Sequence, residues 1–177
     1  MAKFIFSLSQ SLDGYVDHMA LPRPGPTLSR HFMEQARNVA GGIYGRRVYE
    51  IMRYWDEDQS EWDEGDVAFA KIWRKQPKWV VSRTLKSIGP NATLIADNVA
   101  ASLRGLKAQL AGNVRIAGPD LARTLSELGL IDEYQLYIHP VVLGSGTPYF
   151  AAVTSPLRLT SNDLVGDGVI RLTYVPT

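Results

Sequence analysis

The sequence predicts an α/β fold: a mixed, mostly parallel sheet between helical layers, closed by an antiparallel C-terminal hairpin. Apolar β-rich runs alternate with helical patterns along 177 residues. No linker, repeat or low-complexity tract divides them, so residues 1–177 read as a single domain. The last two β-like runs meet at Gly166, Asp167 and Gly168, the chemistry of a tight hairpin turn.

Each element carries its own signal. Residues 3–8 form an apolar first strand. Over residues 28–38, Leu28, Phe32, Ala36 and Val39 recur at helical spacing, with Thr27 as the expected opening residue. A short strand at residues 42–44 runs into Gly45, which starts another helix through Arg46, Val48 and Tyr49. Trp79, Val80 and Val81 form a strand ending at Ser82, and residues 94–96 form the next. Val99, Leu103, Leu106 and Leu110 then make one helical stripe that Gly112 stops. Val114 and Ile116 end a strand, Gly118 stands at an N-cap, and Pro119 takes the favoured first helical position. Leu121, Leu125 and Leu128 mark that helix's buried stripe before Gly129. Residues 134–139 alternate with Leu136 and Ile138 on one face, and residues 157–164 and 168–175 form the hairpin.

Composition narrows the chemistry. A net charge of +1 gives no clustered basic field, so nucleic acid is not the expected partner. Zero cysteines exclude disulfides, thiolate nucleophiles and Cys-ligated metals. No apolar run reaches the roughly 20 residues of a membrane span and no signal peptide is evident, so no membrane partner and a cytoplasmic location are expected. His18, His31 and His139 lack ligand spacing, so no metal site is expected. The acidic run at residues 55–66 has Glu61 where a calcium loop needs glycine and reads as a solvated connector, its two tryptophans available to cap a site. Ser145 stands in Gly-Ser-Gly rather than a nucleophile elbow.

Three strand-to-helix junctions suit phosphate. Gly118, Pro119, Asp120 and Leu121 open a helix whose free amides favour an anion, although Asp120 could itself satisfy those amides. Gly45 is followed by Arg46 and Arg47, cations that oppose the helix dipole unless an anion is present. Ser82, Arg83 and Thr84 set two hydroxyls around a guanidinium, which suits bidentate phosphate recognition. No GxGxxG dinucleotide fingerprint is present.

Taken in order, SLSQSLDGYV, GRRVYE, VVSRTL, AGPDLARTL and GLIDEYQLYIHPVVLGSGTPYF resemble the reductase domain of the riboflavin biosynthesis protein and its dihydrofolate-reductase-like relatives. The resemblance spans nearly the whole chain. It implies a dihydrofolate-reductase-like three-layer fold with NADPH across the carboxyl ends of the strands. Gly45, Arg46 and Arg47 would then hold the cofactor's phosphates, Ser82, Arg83 and Thr84 its 2′-phosphate, and Gly118, Pro119, Asp120 and Leu121 its pyrophosphate. Val48 replaces a threonine, and Pro119 replaces the second glycine of that turn and removes one N–H donor.

On the substrate side, the carboxylate that dihydrofolate reductases carry on the first helix is absent around Leu28, Ser29 and Arg30, which argues against folate. Asp13 in the SLDG loop is the candidate for proton relay or substrate hydrogen bonding, with Tyr15 beside it; Asp13 could equally be a plain turn residue. The deaminase partner's HxE and PCxxC motifs are absent. The expected activity is NADPH-dependent reduction of a small heterocyclic, carbonyl or imine substrate, resembling 5-amino-6-(5-phosphoribosylamino)uracil reductase. The alternative is a non-catalytic protein that keeps only the nucleotide site. Relatives of this type pair two subunits, so a homodimer through residues 132–150 is expected.

Overall fold

The computed structural model describes residues 1–150 and 156–177 and contains one eight-stranded sheet. Its strands are β1 (Lys3–Gln10), β2 (Gly41–Gly45), β3 (Lys78–Val81), β4 (Ala92–Ile95), β5 (Asn113–Ala117), β6 (Glu133–Ile138), β7 (Leu157–Gly166) and β8 (Val169–Pro176). They lie in the order β4-β3-β2-β5-β1-β6-β8-β7. The first six run parallel, and β8 and β7 add an antiparallel edge. The Asp167–Gly168 turn has positive φ at both residues, 55° and 73°, as a twist-matched hairpin requires.

The helices are α1 (Pro26–Arg37), α2 (Arg46–Met52), α3 (Glu64–Lys75), α4 (Val99–Gln109) and α5 (Pro119–Glu127), with one 3-10 turn at Arg53–Asp56. Alternation along the strands gives the sheet two unlike faces. Phe4, Phe6, Ile43, Val114, Ile116, Tyr134 and Leu136 form one buried cluster with Leu103 of α4 and Leu121, Ala122 and Leu125 of α5. On the opposite face, α2 and α3 pack Tyr49 and Trp73 against Tyr44 and Val80, while α1 packs Leu28 against Tyr137 and Val169. The core of that second face is therefore split in two.

Three sequence expectations change. Helix α1 starts at Pro26 behind an N-cap Gly25 rather than at Thr27. Proline's fixed φ suits the first helical position, and the Gly25 amide is held by the Asp167 carboxylate at 2.8 Å. The acidic run is no mere solvated connector: it starts within the 3-10 turn and runs through the N-cap into the first turn of α3. Asp63 and Asp66 form a reciprocal capping box, Asp56 accepts from the Trp73 indole at 2.8 Å, and Asp58 pairs with Arg74. Trp55 and Trp62 stack on each other and Trp55 on Phe69, which makes them part of the α3 packing. The third concerns the N-cap Gly118: the residue is where the sequence placed it, but its φ of +114° lies outside the extended backbone usual for an N-cap and is strained for any L side chain, so a substitution there perturbs the fold as well as any ligand.

Candidate functional site

The three junctions meet at one edge of the sheet. Register pairs Tyr44 with Ala117 and Gly45 with Val81, so Gly118, Gly45 and Ser82 lie at the carboxyl ends of adjacent strands. A Cβ on Gly118 would come within 3.3 Å of the Val48 side chain and 4.0 Å of the Gly45 amide nitrogen. The two turns thus interlock, and glycine at 118 lets them close up. Helix α5 has no side-chain cap at its start; its first helical bond runs from the Ala122 amide to the Gly118 carbonyl. Pro119 lacks an N–H, and the Asp120 and Leu121 amides, lying in the first turn, have no helical acceptors.

The charged groups are only partly free. Arg46 donates to Thr84 Oγ1 at 2.8 Å, tying the β2 and β3 turns together, and to Glu50 at 3.0 Å. Glu50 thus offsets part of the dipole conflict that had seemed to call for an anion. Ser82 Oγ is already an acceptor, from the Thr84 and Leu85 amides at 3.2 and 3.0 Å. Arg47, Arg83 and Asp120 are exposed.

The loop after β1 is tied down by hydrogen bonds. Asp13 accepts the Leu143 amide at 3.1 Å and the Gly144 amide at 2.7 Å. A hydrogen bond from Ser11 and these amides lower its pKa to about 2. A carboxyl so acidic stays ionised near neutral pH and acts here as an acceptor. Its geometry is that of a clamp between two loops. Tyr15 bridges to Pro148, and its amide donates to Ser11 Oγ at 3.0 Å.

Sequence reasoning missed the polar floor beside these loops. On the face carrying α1–α3, β1 presents Ser7 and Ser9, β5 Arg115, and β6 Gln135 and Tyr137. Arg115 makes one long bond, 3.4 Å to the Ser7 carbonyl, and its buried Nε has no partner among the described residues. Arg115 also lines a cavity of about 30 Å³ with Ala36, Tyr44, Trp73 and Gln76. His31 of α1 meets the Tyr137 hydroxyl at 3.0 Å. Arg171, opposite Tyr137 on β8, pairs with Asp163 at 2.8 Å. His139 follows β6 almost fully buried, and desolvation lowers its pKa. A larger cavity, about 640 Å³, lies between the β4 edge and α4; none of the expected site residues lines it, but its wall residue Ile95 accepts the Ser82 amide at 3.1 Å.

Residues 2–170 match the RibD C-terminal domain model. The chain belongs to that family. It is 28% identical over 185 residues to the uncharacterized protein YyaP of Bacillus subtilis (strain 168), covering 97% of this chain and 94% of that one. A putative riboflavin biosynthesis protein from Shewanella sp. PV-4 superposes with a TM-score of 0.71 at 23% identity, over 100% of this chain and 99% of that one. Dihydrofolate reductase from Enterococcus faecalis, complexed with NADP(H) and RAB-propyl, superposes with a TM-score of 0.65 at 12% identity, over 99% and 96% of the two chains. The fold of this RibD C-terminal domain is dihydrofolate-reductase-like. Among the described residues, no helix is long and apolar enough to cross a membrane, and no group of three or more His, Cys, Asp or Glu is placed to hold a metal ion.

Proposed function

We propose that this chain is an NADPH-dependent reductase that transfers hydride to a small heterocyclic, carbonyl or imine substrate, in the manner of 5-amino-6-(5-phosphoribosylamino)uracil reduction. The observation that carries this reading is the convergence of the three anion-suited turns at adjacent strand ends, beside a polar floor. The residues fit a dinucleotide. Uncapped amides at Asp120 and Leu121, with Gly118 and Pro119 shaping the turn, suit a pyrophosphate, and Gly45, Arg46 and Arg47 extend the same edge. Arg83 and Thr84 suit a 2′-phosphate, with Ser82 shaping their turn. When bound, the nicotinamide supplies the hydride; this chain's residues bind, orient and exclude water. Asp13 serves as the clamp that joins the β1 loop to the loop after β6, and Tyr15 lines that junction as a substrate-side residue.

The test is cofactor discrimination. Titration by tryptophan fluorescence should show NADPH binding more tightly than NADH, and Arg83→Ala should cost NADPH about 1.5–3 kcal/mol while leaving NADH nearly unchanged. Equal losses would make Arg83 structural, and no preference in the wild type would refute the assignment.

The homodimer also belongs to this reading. Ile138, Ile170 and Leu164 form one cross-strand row, and Ile170 and Leu164 are 45% and 75% exposed, an apolar edge beside residues 132–150 that a second copy would cover. Sedimentation at micromolar concentration should give about twice the chain mass of 19.6 kDa.

A further inference from the structure

Hydride addition to a C=O or C=N bond leaves an electron pair on the heteroatom, which must then take one proton. Asp13 already accepts two amides where it joins two loops, which leaves the delivery of that proton open to another donor. Resting on the reductase reading above, we propose that His31 and Tyr137 deliver that proton, with His31 presenting Nδ1–H and Tyr137 refilling Nε2.

The pair stands where the reaction would need it. Tyr137 pairs with Ser9 across β6 and β1, one residue before both strands end at the edge that gathers the three turns. His31 reaches it from α1, with Nε2 3.0 Å from the hydroxyl and the two rings 5.5 Å apart. The hydrogen positions follow from the neighbours. Directly across β8 stands Arg171, the register partner of Tyr137, whose guanidinium is bonded to Asp163 and sets a positive charge beside the Tyr137 hydroxyl. That positive charge favours the hydroxyl oxygen on its side, so Tyr137 turns its single hydrogen toward His31 Nε2, the one hydrogen-bond partner of its hydroxyl among the described residues. A neutral imidazole that accepts at Nε2 carries its own hydrogen at Nδ1. Among the described residues, the protein gives that Nδ1 no hydrogen-bond partner.

Charge around the pair keeps both protons in place. Burial and Arg171 lower the His31 pKa, while Glu34 and Asp163 act upward without reversing it, so the ring is neutral at pH 7. Burial raises the Tyr137 pKa against the pull of Arg171 and Arg115, so its hydroxyl stays protonated.

The transfer then balances. The substrate carbon gains the nicotinamide hydride and its heteroatom gains the Nδ1 proton of His31. Nε2 gains the hydroxyl proton of Tyr137, and the negative charge ends on the Tyr137 oxygen beside Arg171. Water restores that proton between turnovers.

Long-range ¹⁵N–¹H spectra of the histidine rings in the NADP⁺-saturated protein decide the tautomer. The wild type should hold His31 as Nδ1–H, and Tyr137→Phe should return it to the Nε2–H form usual in water. With NADPH and 5-amino-6-(5-phosphoribosylamino)uracil as the probe, Tyr137→Phe and His31→Gln should each lower kcat at least tenfold while the NADPH Kd stays unchanged. An Nε2–H ring in the wild type, a tautomer indifferent to Tyr137→Phe, or equal rates in wild type and variants overturns the relay and leaves cofactor binding standing. A wild type that binds no NADPH brings down the reductase reading and the relay with it.

Discussion

The same strands present two very different surfaces. Under α4 and α5 the sheet is dry: Phe4, Phe6, Ile43, Val114 and Ile116 are all fully buried and touch one another in one cluster. Under α1, α2 and α3, neighbouring positions of those strands carry Ser7, Ser9 and Arg115, and the apolar contacts separate into two patches. Alternation alone produces this contrast, because adjacent residues of one strand point to opposite faces. One face has the packing that resists unfolding, and the other keeps hydrogen-bonding groups at the price of a divided core.

The largest effect separates the faces directly. Phe6→Ala removes a ring packed 4.6 Å from Tyr149 and edge-on to Tyr134, and should lower the unfolding free energy by about 3–5 kcal/mol. Arg115→Met keeps the length of the chain and removes an unpartnered donor, and should change stability by less than about 1 kcal/mol. Urea denaturation of both variants measures the difference; similar losses would erase the division of labour between the faces.

Gly118 sits on the seam between them. Gly118→Asn must adopt a φ of +114° and press on Val48, so it should destabilise the free protein by about 1–3 kcal/mol. It should also weaken NADPH binding about tenfold, roughly 1.4 kcal/mol. Melting curves with and without NADPH separate the two effects, and a variant that melts like wild type contradicts the strained backbone.

The smallest effect lies in the Asp13 clamp. Its pKa in the folded state is about 2 against an ordinary 3.8, so its contribution is fully present above about pH 4 and is lost as pH falls toward 2. The group is exposed and solvent screens it, so the change is small. Wild type should show a stability decline in that window that Asp13→Asn lacks; parallel pH profiles would leave the clamp without energetic content.

Much of the edge proposed for the cofactor was legible as strand-to-helix junctions because each of its turns is local. Gly45-Arg46-Arg47, Ser82-Arg83-Thr84 and Gly118-Pro119 each announce a strand end and a helix start within a few residues. What the three turns do to one another was not, since Arg46 meets Thr84 only after the chain has folded. The helix α3 went unread because its acidic start looked like solvated loop. Asp63 and Asp66, three apart before an apolar run, were the signal available, in a box that usually ends in Glu or Gln. The floor left a fainter trace: Ser7 and Ser9 alternate with Phe6 and Leu8 in a central strand, and Arg115 interrupts Val114 and Ile116. The His31–Tyr137 bond spans 106 positions and has no signature in either segment.

The short bond from the Asp167 carboxylate to the Gly25 amide has a temporal consequence. It joins positions 142 apart, and β1 likewise waits for β5 and β6 before either of its edges is paired. During synthesis the first strand therefore leaves the ribosome long before its neighbours exist, with both hydrogen-bonding edges open and Phe4 and Phe6 uncovered. This order of assembly makes the earliest segment of the chain the one most exposed to chaperones and to aggregation. The first helix acquires its fixed entry only when the last hairpin closes.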